Sequence, residues 1–149
     1  MTGFKPNWQV PVMSAFLVPR PLGPEAYTRM SLGEMFMAIA ETAAQRSTCP
    51  KGKQHGAVIV IDGHVVSMGY NGPPHNWPNC NGCEIPKDDK GKDFRNCPAV
   101  HAEANALLQA ARFGTKIAGG KMFVTKYPCM QCRLLIENSG LQVVFYKEM

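Results

Sequence analysis

No stretch of this chain approaches the ~18 uninterrupted apolar residues of a membrane-spanning helix, so no such helix is expected. Nor is a secretory leader visible. The first residues run through Lys5, Pro6, Pro11, Pro19, Arg20, Pro21 and Pro24 without a sustained apolar core. That disfavours a disulfide-stapled secreted domain, because disulfides persist in oxidising compartments. Charge is sparse, at 18% of residues, and scattered, so blocks of like charge are excluded. Aromatic residues make up only 9% and fall mostly within core patterns, which argues against a basic, aromatic-lined channel for a nucleic-acid strand. The composition also excludes collagen and a wholly disordered chain, and no internal repeat is present.

What the 149 residues do contain is a 45% hydrophobic fraction, enough for one core and hence one domain. The net charge of +5 comes from 16 Lys+Arg against 11 Asp+Glu. A modest basic excess suits a phosphorylated small molecule at least as well as a polymer. The six cysteines say more. In the cytoplasm, the expected location, thiols stay reduced, and clustered reduced thiols usually mean metal.

Residues 1–30 form a proline-rich arm without periodicity, and residues 31–149 form the folded domain. Leu32, Met35, Phe36, Ile39, Ala40 and Ala43 recur at helical spacing, with Ser31 and Glu34 placed as a capping box. Gly56–Ile61 and His64–Tyr70 read as strands joined by the hairpin turn Asp62-Gly63. A long Gly- and Pro-rich loop covers 71–98, and a loop of that length is functional, disordered or tied down. Helix 100–113, strand 121–125, helix 132–138 and strand 141–146 follow. This order predicts a three-layer α/β/α sandwich around a central mixed sheet of four to five strands.

Two short motifs carry the chemistry: His101-Ala102-Glu103 and Pro128-Cys129-Met130-Gln131-Cys132. Each alone is weak, since C-x-x-C also serves redox dithiols and structural zinc sites. Together, each opening a helix, they are specific. Cys129 and Cys132 lie one helical turn apart, and His101 approaches from the facing helix. This N/S/S donor set suits zinc and leaves one position for water. Both helix N-termini favour deprotonated thiols. Pro128 is expected at the first helical position, where its missing N–H costs little. Glu103, two residues from the histidine, is placed to accept a proton from water and return it to a departing amine.

The pairing of H-A-E with P-C-x-x-C resembles the zinc-dependent nucleobase deaminases. Arg46-Ser47-Thr48-Cys49, Gly69-Tyr70-Asn71-Gly72-Pro73 and Cys97–Ala106 narrow the likeness to the cytidine/deoxycytidylate deaminase family. The resemblance implies hydrolytic deamination of dCMP to dUMP and ammonia by a zinc-activated water, with Glu103 as proton carrier. It also implies a five-stranded sheet, a homo-hexamer, and control by dCTP (activator) and dTTP (inhibitor) with Mg²⁺. Asn71, Ser47 and Thr48 would then bind substrate, Asn71 at the deoxyribose and the other two at the phosphate. Asn71, Gly72 and Arg112 would serve the effector nucleotide. The chain stops soon after its fourth recognisable strand, so the last helix and strand of the family are expected to be absent or differently organised.

Cys49, Cys80, Cys83 and Cys97 are left over, and together they can close a second, structural zinc site around the long loop. His75 is a competing ligand, and packed thiols are the alternative. His55 and His64 read as surface polar residues, and Trp77 as a loop anchor. Two rival functions remain: a polynucleotide or other nucleotide deaminase using the same zinc chemistry, and a non-catalytic zinc-binding module, which would have no need of Glu103.

Overall fold

A computed structural model describes residues 29–50, 53–80, 87–88, 91–92 and 97–146. Most of the expected proline-rich arm and Cys83 lie outside the described residues. Helix α1 (Leu32–Ala44) starts where the sequence places it. Ser31 Oγ accepts from the Glu34 N–H at 3.2 Å, and the Glu34 carboxylate accepts from the Ser31 N–H at 2.8 Å. Strands β1 (Gly56–Ile61) and β2 (His64–Tyr70) form an antiparallel hairpin. Its turn puts Asp62 and Gly63 at φ 49° and 79°, the left-handed pair that a tight hairpin needs.

The short strands β3 (Lys87–Asp88) and β4 (Gly91–Lys92) pair within the long loop. Helix α2 (Ala102–Arg112), strand β5 (Lys121–Val124), helix α3 (Met130–Asn138) and strand β6 (Val143–Tyr146) complete the described chain. The main sheet has four strands in the order β2-β1-β5-β6, with β5 and β6 parallel and the other pairs antiparallel.

Strand β1 is apolar throughout because both of its faces are covered. On one side Val58 and Val60 pack with Phe36 and Ala40 of α1 and with Phe123 of β5. On the other, Ala57 and Ile59 pack with Ala102 and Ala106 of α2, Ile136 of α3, Met122 and Val124. The expected three-layer α/β/α architecture is borne out, with four strands in its central mixed sheet. Two glycines allow the layers to approach. A β-carbon at Gly56 would collide with backbone of α1, and one at Gly69 with the backbone of Ala102 and Ala106 in α2.

Two boundaries differ from the sequence reading. Val100 is not helical: its N–H donates to the Gly72 carbonyl at 2.8 Å and its carbonyl accepts from the Gly72 N–H at 3.2 Å. This bridge ties the glycine turn after β2 to the residue preceding His101. Pro128 is not the first helical residue either. Cys129 is the N-cap of α3 and Met130 its first residue, so the proline stands one position before the cap.

Candidate active site

The caps of two helices build the site. His101 is the N-cap of α2 and makes no side-chain capping bond, which leaves its ring available. Cys129 is the N-cap of α3, and its sulfur accepts from the Cys132 N–H at 3.5 Å. The capping bond holds this sulfur at the mouth of the helix. His101 Nδ1 lies 3.5 Å from Cys129 Sγ and 3.4 Å from Cys132 Sγ. The three ligand atoms all lie within 4.8 Å of one another.

These separations fit zinc. Bonds of ~2.3 Å to sulfur and ~2.1 Å to nitrogen in a tetrahedron place nitrogen about 3.6 Å from each sulfur. Three protein donors leave the fourth position open. Among the described residues, these are the only three or more His, Cys, Asp or Glu side chains gathered closely enough to hold a metal.

Glu103, the second residue of α2, is 7% exposed. Burial, and after it the Glu103 carboxylate, pushes the Cys132 thiol far above its ordinary range, so without a cation the sulfur stays protonated. A divalent ion in this position counters both causes. Glu103 and the three metal-ligating residues line one cavity of about 960 Å³, large enough for a nucleotide.

The other expected residues take varied places. Asn71 lines the cavity, but its amide is engaged: Oδ1 accepts from the His55 N–H at 2.7 Å, and Nδ2 donates to the Lys53 carbonyl at 2.8 Å and to Cys49 Sγ at 3.1 Å. Ser47 and Thr48 are absent from the described residues that line the cavity. Ser47 is buried and its Oγ accepts from the Cys49 N–H at 3.2 Å, while Thr48 Oγ1 is buried without a hydrogen-bond partner.

Gly72 is buried in the bridge to Val100. Arg112 lies at the far end of α2, exposed, its guanidinium 5.9 Å from the Phe113 ring centre. Cys49 and Cys97 line the cavity and Cys80 is half-buried; among the described residues these three do not form a metal group, and His75 and Trp77 are exposed.

The sequence reading missed His55. It is half-buried and part of the cavity wall, as is Lys53, and the exposed Lys126 lines the same cavity. Burial, then the charges on Lys126 and His101, lower its affinity for a proton. The available signal was position: His55 immediately precedes a strand buried on both faces, and strand ends commonly border sites.

Comparison with known proteins agrees with this geometry. The family described as "Cytidine and deoxycytidylate deaminase zinc-binding region" matches residues 30–148. The chain is 40% identical over 126 residues to the deoxycytidylate deaminase of Mycobacterium phage D29, covering 80% of this chain and 96% of that protein. It is 38% identical over 122 residues to ComE operon protein 2 of Bacillus subtilis, covering 80% of this chain but only 61% of that longer protein. Among solved structures, the dCMP deaminase of cyanophage S-TIM5, crystallised with dCMP and dUMP, superposes with a TM-score of 0.67 at 31% identity. That match covers 80% of this chain and 83% of the phage protein. The chain belongs to the cytidine and deoxycytidylate deaminase family, and the resemblance read from its sequence is borne out. The family's zinc-binding character and the gathered donor set likewise bear out zinc as the metal.

Proposed function

We propose that this protein hydrolyses the 4-amino group of dCMP, giving dUMP and ammonia. The observation that carries the reading is a buried carboxylate, Glu103, in the same cavity as a His101–Cys129–Cys132 donor set with one coordination position to spare. A structural zinc site needs no such carboxylate, and this sets the non-catalytic reading aside. Similar proteins are named for this reaction, including a phage enzyme crystallised with dCMP and dUMP.

Zinc held by the three side chains supplies the Lewis acidity that makes water a nucleophile near neutral pH. Glu103 takes the proton of the attacking water and delivers it to N3 of cytosine. Oxygen bonds to C4 as the ring electrons shift onto N3. Glu103 then carries the second proton to the amino group, the C4–N bond breaks and ammonia leaves.

The test is ammonia release from dCMP, CMP, deoxycytidine, dAMP and a single-stranded oligonucleotide. The reading requires dCMP to be the best substrate, and preferential turnover of the oligonucleotide would replace it with the editing alternative.

We further propose that the enzyme works in the cytoplasm as a homo-oligomer, a hexamer as the resemblance implies, under control of dCTP and dTTP with Mg²⁺. Exposed Met130, Leu134 and Leu135 on α3 and Phe113 after α2 support association. The Gly72–Val100 bridge supports control, because movement of the glycine turn shifts the residue next to His101. Titrating dCTP and dTTP against activity, wild type beside Arg112→Glu, tests it; an unresponsive wild type rejects regulation.

A further inference from the structure

The cavity draws its groups from elements that meet along one seam. His101 and Glu103 come from the start of α2, and Asn71 comes from the end of β2. The Asn71 amide holds the His55 N–H at 2.7 Å. His55 precedes Gly56, which is locked to the far end of β5: Gly56 N–H donates to Thr125 Oγ1 and Thr125 N–H to the Gly56 carbonyl, both at 3.1 Å. The spacing between the Asn71–His55 wall and the metal end therefore depends on how β2 is fastened to α2.

Three side-chain bonds fasten it. Ser67 Oγ donates to the Ala106 carbonyl at 2.6 Å, Gln109 Oε1 accepts from the Met68 N–H at 3.3 Å, and Asn105 Nδ2 donates to the Tyr70 carbonyl at 2.7 Å. They are not equivalent. The Ser67 bond is buried and belongs to the packing that Gly69 makes room for. Gln109 reaches β2 one helical turn further from the site than Asn105. Of the three, only Asn105 grips the residue next to Asn71, and it stands two positions after Glu103.

Strand β2 is an edge of the main sheet, and the Asn105 bond to it is exposed. Water can take the place of such a partner, so its loss costs the fold little. Water cannot fix the spacing. The Asn105 bond on one side and the reciprocal Gly72–Val100 pair on the other, at 2.8 and 3.2 Å, pin the segment Tyr70-Asn71-Gly72 at both ends. Asn71 is the residue between the pins. Asparagine is also a weaker helix former than alanine, so its place in the first turn of α2 calls for a return outside the helix.

We propose that Asn105 is a positioning residue for the reaction: through the Tyr70 carbonyl it sets the spacing between the Asn71–His55 wall and the His101–Glu103 end. Asn105 is not among the described residues that line the cavity, and it acts only through Tyr70 and Asn71. The proposal rests on the reading that this cavity deaminates a cytosine compound. A base held a fraction of an ångström away from its place beside Glu103 still binds but reacts more slowly, because the reactive geometry is narrower than the binding geometry. Loss of Asn105 therefore lowers kcat more than it raises KM.

The test compares zinc-loaded wild type with Asn105→Asp, Asn105→Ala, Asn105→Gln and Gln109→Ala. Aspartate keeps the shape and loses the donor, glutamine keeps a donor on a longer arm, and Gln109→Ala removes a bond of the same seam further from the site. Ammonia release from dCMP and from deoxycytidine gives kcat and KM; zinc content, melting midpoint and hydrogen exchange at the Gly72 amide are measured on the same proteins. Asn105→Asp and Asn105→Ala should keep wild-type zinc and a KM within about 3-fold, while kcat falls about 10-fold or more and Gly72 exchanges faster. Asn105→Gln should recover part of kcat, and Gln109→Ala should match wild type in kcat and in Gly72 exchange. Wild-type kcat in both Asn105→Asp and Asn105→Ala overturns the proposal and leaves the deamination reading standing. An equal loss of kcat in Gln109→Ala also overturns it, because the effect is then a general weakening of the seam. A wild type that prefers deoxycytidine removes the dCMP reading, and the same comparison on deoxycytidine still decides the role of Asn105. A wild type that releases ammonia from neither compound overturns both.

Discussion

His101 Nδ1 lies 3.4 Å from Cys132 Sγ, the two side chains meeting from the first turns of two different helices. Because burial and the Glu103 charge keep that thiol protonated, zinc binding near neutral pH must expel its proton. Zinc affinity should therefore weaken as pH falls. Calorimetric zinc titrations in buffers of different ionisation enthalpy will report the released proton. Cys132→Ser should remove that release and weaken zinc binding by at least about 100-fold.

His55 gives the metal-free fold a second pH dependence. Its proton affinity is lowered from the ordinary 6.5, first by burial and then by the charges on Lys126 and His101. The unfolded chain therefore takes up a proton at His55 more readily than the folded chain. The associated stability is complete above about pH 6.5 and is lost as pH falls through the folded-state value. Thermal melts of metal-free protein should show the midpoint falling below that pH, and His55→Gln should flatten the fall.

Gly69 and Gly33 should respond oppositely to alanine. A β-carbon at Gly69 would run into the backbone of α2, whereas one at Gly33, in the first turn of α1, meets nothing. Gly69→Ala should cost about 3 kcal/mol or more, because backbone cannot yield as a side-chain tip can. Gly33→Ala should be neutral or stabilising by up to about 1 kcal/mol. Denaturant midpoints with unchanged slopes will measure both.

Removing the Asn71 amide leaves the His55 N–H and the Lys53 carbonyl without their partner. Asn71→Ala should cost about 2–3 kcal/mol and speed hydrogen exchange at the His55 amide while helix α1 stays protected. Unchanged exchange at His55 would show that the amide does not hold this segment.

Much of the site was legible because its geometry is local. A C-x-x-C at a helix start places both sulfurs within one turn, and Ser31 with Glu34 announces the first helix. Glu103 follows from its offset to His101 within one helix turn. The apolar run of β1 marks a strand covered on both faces. Residues whose role depends on distant pairing were not legible. His55 joins the cavity wall only because β5 pairs with β1 and the Gly56–Thr125 link brings Lys126 alongside. Ser47 sits within a promising motif, yet its hydroxyl turns to the backbone two residues on. Pro128 was misplaced by two positions because the helix start belongs to the sulfur that caps it, and no propensity announces a capping cysteine.

The central claim is that Glu103 moves protons at a site it does not help to assemble. The direct measurement is zinc content and dCMP turnover of Glu103→Gln beside wild type, with the fold checked by circular dichroism. The account predicts a folded protein with wild-type zinc content and turnover reduced by about 100- to 10,000-fold. A folded, zinc-loaded Glu103→Gln that deaminates dCMP at near the wild-type rate would contradict it.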